Sequence, residues 1–416
     1  MKQTLAILIA GTLFLNMVSC NKLEDFGTIN NDPSVTTEAS TAGLLTNVLA
    51  GIGGWSVSTR PGLYAQYFSE TQYTEASRYS SAQIEFAGNY SGALYDLQNI
   101  INLNSGEKAA AQVKNGSNAN QIAIARILKA YIFWHITDAW GDIPYSQALQ
   151  GVRPDYDTQE NIYKSLIAEL KAAADQFDGG AAVKGDILYG GNAAKWKKFA
   201  NSVRLIMALR TSKVDAAYAQ AQVVDAVSAS SGHILTNADN AVLDYPGGNF
   251  NNPWWATYNG RTDYGVASTI MDVLKGSGDK RLSAYASSEL GFPYGLVRED
   301  AVAYGNANPT FARILASSYR SQNSDITILS SSVVKLCLAE ARQRGWISAG
   351  TVEGFYNDAI KDSWEQWGVY NSTDYNAYIA GSSVKFGAAD QLAKIGNQRW
   401  LATYPNGYQA WFEWRR

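Results

Sequence analysis

The sequence QIAIARILKAYIFWHITDAW, at residues 121–140, decides the fold, because it predicts a long helix that is buried on more than one side. Ile124, Leu128 and Tyr131 recur at helical spacing on one face, and further apolar side chains widen that face. Gly141 can adopt the conformation that ends a helix, and Pro144 cannot extend one. The stretch therefore predicts one helix followed by a turn.

A second helix is predicted directly after this turn. Asp157 is expected to be its N-cap, and Glu160 stands three residues further on, as in a capping box. Ile162 and Leu166 then continue an apolar stripe at helical spacing. Residues 121–178 are therefore predicted to form a helical hairpin, around which we expect the rest of the chain to be organised.

Three polar side chains of this hairpin, His135, Asp138 and Asp142, invite a catalytic or metal interpretation. The only other histidine is His233, and a zinc site needs a closed set of nitrogen, sulfur and oxygen ligands. Acids at helix ends and turns usually bond to nearby backbone groups. We therefore expect a core imidazole and two structural acids, and we predict no metal.

Composition excludes some classes of protein. The 416 residues carry a formal net charge of -3, so no basic field points to nucleic acid. The length suits one large domain or two intimate ones. A charged fraction of 17%, beside many glycines, serines and asparagines, indicates an extracytoplasmic protein with polar loops. The 12 tryptophans and 25 tyrosines are typical of half-buried sites and binding faces.

The N-terminus has the features of a targeting segment. Lys2 precedes the apolar run Leu5–Val18, which is too short for a typical spanning helix, so residues 1–19 are predicted to be a signal peptide. Met17-Val18-Ser19-Cys20 resembles a lipobox and predicts lipidation of Cys20. The alternative is an ordinary secretory signal with a chance cysteine. Residues 21–25 resemble a tag that sends lipoproteins to the outer face of the outer membrane.

Cys337 is the only other cysteine, so the mature chain cannot hold a disulfide framework or a cysteine-based zinc site. It stands on an apolar helical face with Val334 and Ala341. A buried core thiol is therefore expected rather than a nucleophile.

Helical periodicity recurs along the chain and then breaks down. Asn192 is expected to cap one helix. From residue 232 to about 323 the sequence is rich in glycine, asparagine and aromatic residues, with one helix expected at 266–276. The fold class is therefore mostly α, with tetratricopeptide-like hairpins in 121–231 and 331–369 packed against an irregular, loop-rich aromatic half. The other predicted helices span 40–52, 62–76, 88–104, 193–212, 213–231, 331–346, 352–369 and 388–404, with a last one beginning near 408.

The strongest functional constellation lies in the loop-rich part. Flat rings, amides, an arginine and an acid suit a sugar, because apolar ring faces stack and hydroxyls bond to the polar groups. A peptide would suit the same surface. Trp254 or Trp255 could instead fill the core beneath the loop. The predicted ligand-binding residues are Asn251, Trp254, Trp255, Tyr258, Arg261 and Asp263, with Tyr67 and Tyr73 from an earlier aromatic-rich segment.

No sequence motif predicts catalysis. There is no G-x-S-x-G elbow and no H-E-x-x-H pair, and Gly51-Ile52-Gly53-Gly54 is not a dinucleotide fingerprint. A pair of carboxylates for glycoside hydrolysis would meet only in the fold, so it stays open. The chain has no D-x-[DN]-x-[DN]-G run, so no calcium site is predicted. No cofactor is predicted either.

Eight stretches in order along the chain carry a family resemblance. Together with the lipobox, they resemble the SusD/RagB family of nutrient-binding outer-membrane lipoproteins, in the SusD-like subgroup, over nearly the whole of residues 20–416 as a single domain. The stretches are AQYFSETQY (65–73), ALYDLQNI (93–100), IAIARILKAYIFWHITDAWGDIPYSQAL (122–149), YDTQENIYKSLIAEL (156–170), GDILYGGNAAKWKKFANSVRLIMALR (185–210), NPWWATYNGRTDYGVASTIMDVLKGSGDKRL (252–282), LAEARQRGW (338–346) and IGNQRWLATYPNGYQAWFEWRR (395–416).

This resemblance implies a surface protein that is not an enzyme. Such proteins are lipid-anchored in the outer membrane on the extracellular side and cover a TonB-dependent transporter of the SusC type. They capture an oligosaccharide or oligopeptide for import, with the helical-repeat face toward the transporter. Two departures stand out: Met17 replaces the usual leucine of the lipobox, and the family continues after an R-R-T-G-Y-P-like segment. We therefore expect the last helix to be truncated at Arg416.

Two other functions remain as alternatives to nutrient capture. In a helical-repeat scaffold or adhesin, Trp254, Trp255 and Tyr258 would all be buried in the core. A surface glycoside hydrolase would need two carboxylates about 5–10 Å apart in an open cleft. The sequence does not name the nutrient, because loop shape selects the ligand.

Overall fold

Successive helices make up most of the chain, which the computed structural model describes at residues 39–80, 85–151, 153–387 and 389–416. The predicted signal peptide and Cys20 lie outside the described residues. Within them, Thr41–Arg416 form one unit by their contacts. No helix of the described residues is long and apolar enough to cross a membrane.

The N-terminal segment contains one element that periodicity did not predict. The helix expected at 62–76 is wrong, because helix α2 ends at Tyr64 and a short strand follows. Phe68–Glu70 pair with a strand nearly two hundred residues away, and this long-range pairing overrides local propensity. The elements are α1 (Thr41–Ser56), α2 (Thr59–Tyr64), β1 (Phe68–Glu70), α3 (Ala87–Asn89), a π-helical turn (Tyr90–Leu94), α4 (Tyr95–Ser105), α5 (Ala109–Gln112) and a 3₁₀ turn (Val113–Asn115).

The predicted hairpin consists of α6 (Asn118–Trp140) and α7 (Gln159–Asp175), which pack together. Gly141 ends α6 with a φ of 83°, as expected of a glycine at a helix C-terminus. The expectation that Asp157 caps α7 is wrong. Thr158 is the N-cap and accepts from the Asn161 backbone N–H, while the Asp157 carboxylate accepts from backbone N–H groups of the preceding turn.

The remaining helical pairs extend the same packing. Helix α8 (Ala193–Arg210) is capped by Asn192, as predicted, and packs against both α7 and α9 (Ala216–Val227). Helix α14 (Ser331–Gln343) packs against α15 (Val352–Gln366), α8 and α17. The mostly α fold class with tetratricopeptide-like hairpins is thereby confirmed. The last helices are α16 (Ser372–Ala380), α17 (Gln391–Thr403) and α18 (Gly407–Arg415).

Short elements joined by loops fill the region between α9 and α14. Two antiparallel ladders, β1 with β3 and β2 with β4, fix this region against the rest of the chain. The helix expected at 266–276 is present as α11. The elements are 3₁₀ turns (Asn237–Asp239 and Ser317–Tyr319), β2 (Ala241–Leu243), α10 (Pro253–Thr257), β3 (Tyr264–Val266), α11 (Ser268–Ser277), α12 (Leu282–Tyr285), α13 (Arg298–Ala307) and β4 (Ile326–Leu329).

His135 is a core residue, as the sequence indicated. Its ring is 5% exposed and stacks on Trp55 with ring centroids 4.5 Å apart. Burial lowers the pKa of His135 to about 3, so the imidazole is neutral at physiological pH. Asp138 pairs with Arg210, and Asp142 accepts from the Gln159 backbone N–H at 2.8 Å. Both acids are therefore structural.

A buried ion network joins three helices of the helical half. The Glu340 side chain on α14 is 3% exposed and receives Arg399 of α17 at 2.9 Å and Arg416 at 2.7 Å. Glu413 of α18 pairs with the same two arginines. Burial alone would raise the pKa of Glu340, but Arg399 and Arg416 outweigh it and lower the pKa to about 2. The carboxylate is therefore charged and fully paired.

Glu340→Gln tests this network. The substitution keeps the shape but leaves buried arginines short of a counter-charge, so we expect a loss of about 3 kcal/mol in the free energy of unfolding at pH 7. Urea denaturation measures it. The exposed control Glu365→Gln, which breaks the Lys361 pair at 3.7 Å, should change that free energy by less than about 0.5 kcal/mol.

The same pair of proteins gives a pH test. The unfolded carboxyl keeps a pKa near 4.5 and the folded one has a pKa near 2. The stability from ionised Glu340 is therefore present above pH 4.5 and is lost as the pH falls toward 2. The difference between wild type and Glu340→Gln should shrink on acidification across that window. A difference that does not change with pH would contradict the network.

Candidate functional site

Pairing between β1 and β3 brings two distant loops to one edge of the structure. Glu70 lies opposite Tyr264, so the chain after β1 and the chain before β3 leave the ladder together. The Thr71 backbone N–H donates to the Asp263 carbonyl at 2.9 Å, and its hydroxyl donates to the Thr262 carbonyl at 2.6 Å. Residues 71–73 and 261–263 therefore lie side by side.

Tyr73 is the most exposed of the predicted ligand-binding tyrosines, with 49% of its surface accessible. The guanidinium of Arg298 lies 5.4 Å from its ring centroid and that of Arg261 lies 5.9 Å away. Arg261 in turn pairs with Asp263 at 2.6 Å. An aromatic ring, two cations and a carboxylate thus surround one patch of surface, which offers stacking together with hydrogen-bond donors and acceptors.

The loop that carries Tyr73 is held by internal hydrogen bonds. The buried Glu70 carboxylate accepts from the Ser77 backbone N–H at 2.9 Å and from its hydroxyl at 3.0 Å. Further along, Tyr79 is 64% exposed and stacks on Tyr64 with centroids 5.6 Å apart. The loop therefore presents two tyrosine rings from a fixed backbone.

Tyr258 anchors the second loop through its hydroxyl. The hydroxyl donates to the Tyr264 carbonyl at 3.1 Å and accepts from the Ile314 backbone N–H at 2.8 Å. Its ring is half-buried beneath two guanidinium groups, with Arg320 4.8 Å and Arg313 5.7 Å from the ring centroid. Burial raises the pKa of Tyr258, so the phenol stays protonated and acts as a structural donor.

The two adjacent tryptophans have opposite environments. Trp254 is 1% exposed and packs edge-on against Phe68, with centroids 5.6 Å apart. Trp255 is 36% exposed. Asn252 caps the short helix α10 by accepting from the Trp254 backbone N–H at 2.7 Å. Successive side chains of a helix point in different directions, so the two rings face different surroundings. Of the two, only Trp255 reaches the outer surface of the protein.

Two of the predicted ligand contacts therefore need correction. Tyr67 is fully buried, donates its hydroxyl to the Trp400 carbonyl, and cannot stack on a ligand from solvent. Trp254 is likewise a core residue. Asn251 lies half-buried and donates to the Gly248 carbonyl at 2.8 Å, which ties down its own loop. The predicted residues that the structure leaves at least partly at the surface are Tyr73, Asn251, Trp255, Tyr258, Arg261 and Asp263.

Sequence reasoning missed three arginines at this surface. Arg298 begins α13, and Arg313 and Arg320 flank the turn after it. Each lies over a tyrosine from a different part of the chain, so no local spacing connects them. The only indication in the sequence is that several arginines occur in a segment with weak helical periodicity.

The structure also contains two cavities, neither of which is lined by Tyr73, Trp255 or Arg261. One of about 630 Å³ is lined by residues of both halves, including Trp254, Tyr404 and Arg399. Another of about 730 Å³ is lined by Asp138 and Arg415 among others. Among the described residues, no group of three or more histidine, cysteine, aspartate or glutamate side chains could hold a metal ion.

Comparisons with known proteins agree on one family. A SusD-like family model, described as starch-binding and associating with the outer membrane, matches residues 31–416. No curated protein sequence matched the chain. Among solved structures, a chitin-binding protein is 27% identical, and the match covers 90% of this chain and 86% of that chain with a TM-score of 0.76.

Two further structures extend the comparison of folds. A chitin-binding SusD homolog from Flavobacterium johnsoniae is 22% identical, with 91% of this chain and 86% of that chain covered and a TM-score of 0.76. A SusD homolog from Bacteroides fragilis NCTC 9343 is 22% identical, with coverage of 91% and 87% and a TM-score of 0.78. The resemblance noted in the sequence is confirmed, because the family model spans nearly the whole chain. This protein belongs to the SusD-like family, whose members are described as starch-binding and associating with the outer membrane.

Proposed function

We propose that this protein captures a glycan at the cell surface and passes it to a TonB-dependent transporter of the SusC type. The observation that carries the proposal is the Tyr73 ring, which is half exposed and flanked by the guanidinium groups of Arg261 and Arg298. A sugar ring stacks on such a surface, and its hydroxyls bond to the nearby Arg261–Asp263 pair. Family membership and the chitin-binding neighbours support a glycan over an oligopeptide.

The proposed site is formed before the ligand arrives. Glu70 fixes the Tyr73 loop, and the Tyr258 hydroxyl fixes the neighbouring loop to β3. A preorganised surface loses little conformational entropy on binding, so a few ring contacts suffice for useful affinity. Trp255, on the helix α10 that precedes the second loop, supplies a further exposed ring. The proposal is one of binding, without a catalytic step.

The scaffold alternative required Trp254, Trp255 and Tyr258 all to be buried. Trp255 is 36% exposed and Tyr258 is only half-buried, so that condition is not met. Glycan capture is therefore the function that the surface favours.

Tyr73→Ala tests the ligand site. Removal of the ring should weaken glycan binding by about tenfold or more, as truncation of a central aromatic contact does. Isothermal titration of the chain without residues 1–20 against starch, chitin and pectic oligosaccharides measures it. Tyr156, which is 63% exposed beside the hairpin, supplies the control Tyr156→Ala, and equal losses in both variants would contradict the assignment.

A substitution on α7 tests the proposed transporter face. Ala168 is exposed on the outer side of this helix, and Ala168→Arg adds bulk and charge there without breaking an ion pair. We expect weaker co-purification with the transporter and unchanged glycan affinity. Tyr73→Ala should give the reverse pattern. If Ala168→Arg loses glycan binding and keeps the transporter complex, the assignment is wrong, and the glycan binds the helical face instead.

Membrane attachment is proposed to depend on Cys20. Cys20→Ser removes the thiol that would carry the lipid, so the protein should move from the membrane fraction to the soluble fraction. Cell fractionation with immunoblotting measures this distribution. Cys337→Ser is the matched control, because this thiol is buried in the core and should not affect attachment. Membrane retention of Cys20→Ser would refute a lipid anchor.

A further inference from the structure

Arg313 and Arg320 form a pair of cations on one tyrosine. Both guanidinium groups lie over the half-buried Tyr258 ring, at 5.7 and 4.8 Å from its centroid. Arg320 donates its Nε–H to the Leu315 carbonyl at 3.1 Å, which fixes the guanidinium and leaves its terminal nitrogens without another partner among the described residues. The Arg313 side chain makes no hydrogen bond to a described residue. The two cations therefore share one tyrosine at the surface.

Neither of these arginines has a carboxylate partner in the described part of the chain. Burial and the charge of Arg313 both lower the pKa of Arg320, which places the two cations within each other's field. Asp325, the acid closest to Arg320 in sequence, instead interacts with Asp244. Like charges brought together without a counter-ion destabilise the free protein. The Tyr258 ring offsets only part of this cost, since a cation–π contact at a partly exposed site is weak.

Two more arginines lie over a second tyrosine of the candidate site. Arg261 and Arg298 lie over Tyr73, and only Arg261 has an acid partner, Asp263, among the described residues. Tyr258 and Arg261 share the loop at 257–263. This cationic surface stands out in a chain whose formal net charge is -3, so a general basic field does not explain it.

We propose that the ligand is an anionic glycan, whose carboxylate or sulfate group binds the terminal nitrogens of Arg313 and Arg320 while its sugar rings stack on the exposed tyrosines. Guanidinium groups match carboxylate and sulfate oxygens in bidentate geometry and lose little hydration, which suits them to this task. The inference rests on the proposed glycan-binding function and narrows it to acidic polysaccharides. Uronic acids supply the carboxylate, and sulfated sugars supply the alternative anion.

Binding to matched glycans tests the charge requirement. Titrations at low salt compare oligogalacturonate with its methyl-esterified form, and sulfated with desulfated chondroitin. Neutral chito-oligosaccharides are titrated as a common reference for the two pairs. We expect at least one of these pairs to show about tenfold or more tighter binding of the member with the additional anionic group, and added salt to weaken that binding. The ester pair isolates the carboxylate, and the chondroitin pair isolates the sulfate.

Substitutions then test whether Arg313 and Arg320 cause the preference for acidic glycans. Arg320→Gln and Arg313→Gln should each lower affinity for the preferred acidic glycan by about tenfold, and the double variant by about a hundredfold. Arg320→Lys keeps the charge and should retain part of the preference. Arg153→Gln, at an exposed arginine of the α6–α7 connection, is the control and should bind as wild type does.

The outcomes separate this inference from the function on which it rests. Equal affinity for neutral and acidic glycans, with Tyr73→Ala still defective, would overturn the anionic ligand and keep glycan capture. An acidic preference that survives the double substitution would also overturn the assignment to Arg313 and Arg320. Binding to none of the glycans would overturn both proposals. Circular dichroism confirms that each variant is folded.

Discussion

The buried carboxylate of Glu340 is the constraint that connects distant parts of this structure. A charge in the interior needs partners, and those of Glu340 come from α17 and from the last residue, Arg416. Arg399 and Trp400 are neighbours on α17. The Trp400 indole N–H donates to the Ala65 carbonyl at 3.0 Å, and its own carbonyl accepts from the Tyr67 hydroxyl. The network therefore extends from α14 to the start of β1.

This connection explains what Tyr67 and Trp254 do, although neither is the surface ligand contact that the sequence predicted. Tyr67 does not touch a ligand, but it fixes the strand from which the Tyr73 loop emerges. Its neighbour Phe68 packs against Trp254, the core residue beneath the second loop. The two loops are thus supported from below by aromatic residues that lie one to six positions away from the exposed ones. Rigid support of this kind is what keeps a surface site preorganised.

Local patterns predicted the helices well and the site only in part. The α6–α7 hairpin follows from apolar spacing and from Gly141, which are properties of neighbouring residues. The strand at Phe68–Glu70 depends on a partner at Tyr264–Val266, and no local pattern contains that information. For the same reason Trp254 and Trp255 could not be distinguished, because their burial is decided by where a five-residue helix lies against Phe68.

Two sets of arginines in this molecule differ in their pairing, and the contrast concerns function. In the interior, Arg399 has Glu340, Arg210 has Asp138, and Arg281 has Asp279, so the fold supplies a counter-charge where burial demands one. At the loops around Tyr258, the described residues supply none for Arg313 and Arg320. Arg320 is held by the Leu315 carbonyl and by the Tyr258 ring, and Arg313 lies over the same ring, so both guanidinium groups have a defined position. A fixed, unpaired pair of cations is costly in the free protein and gains most when an anion binds, which is the property expected of a binding site rather than of a structural one.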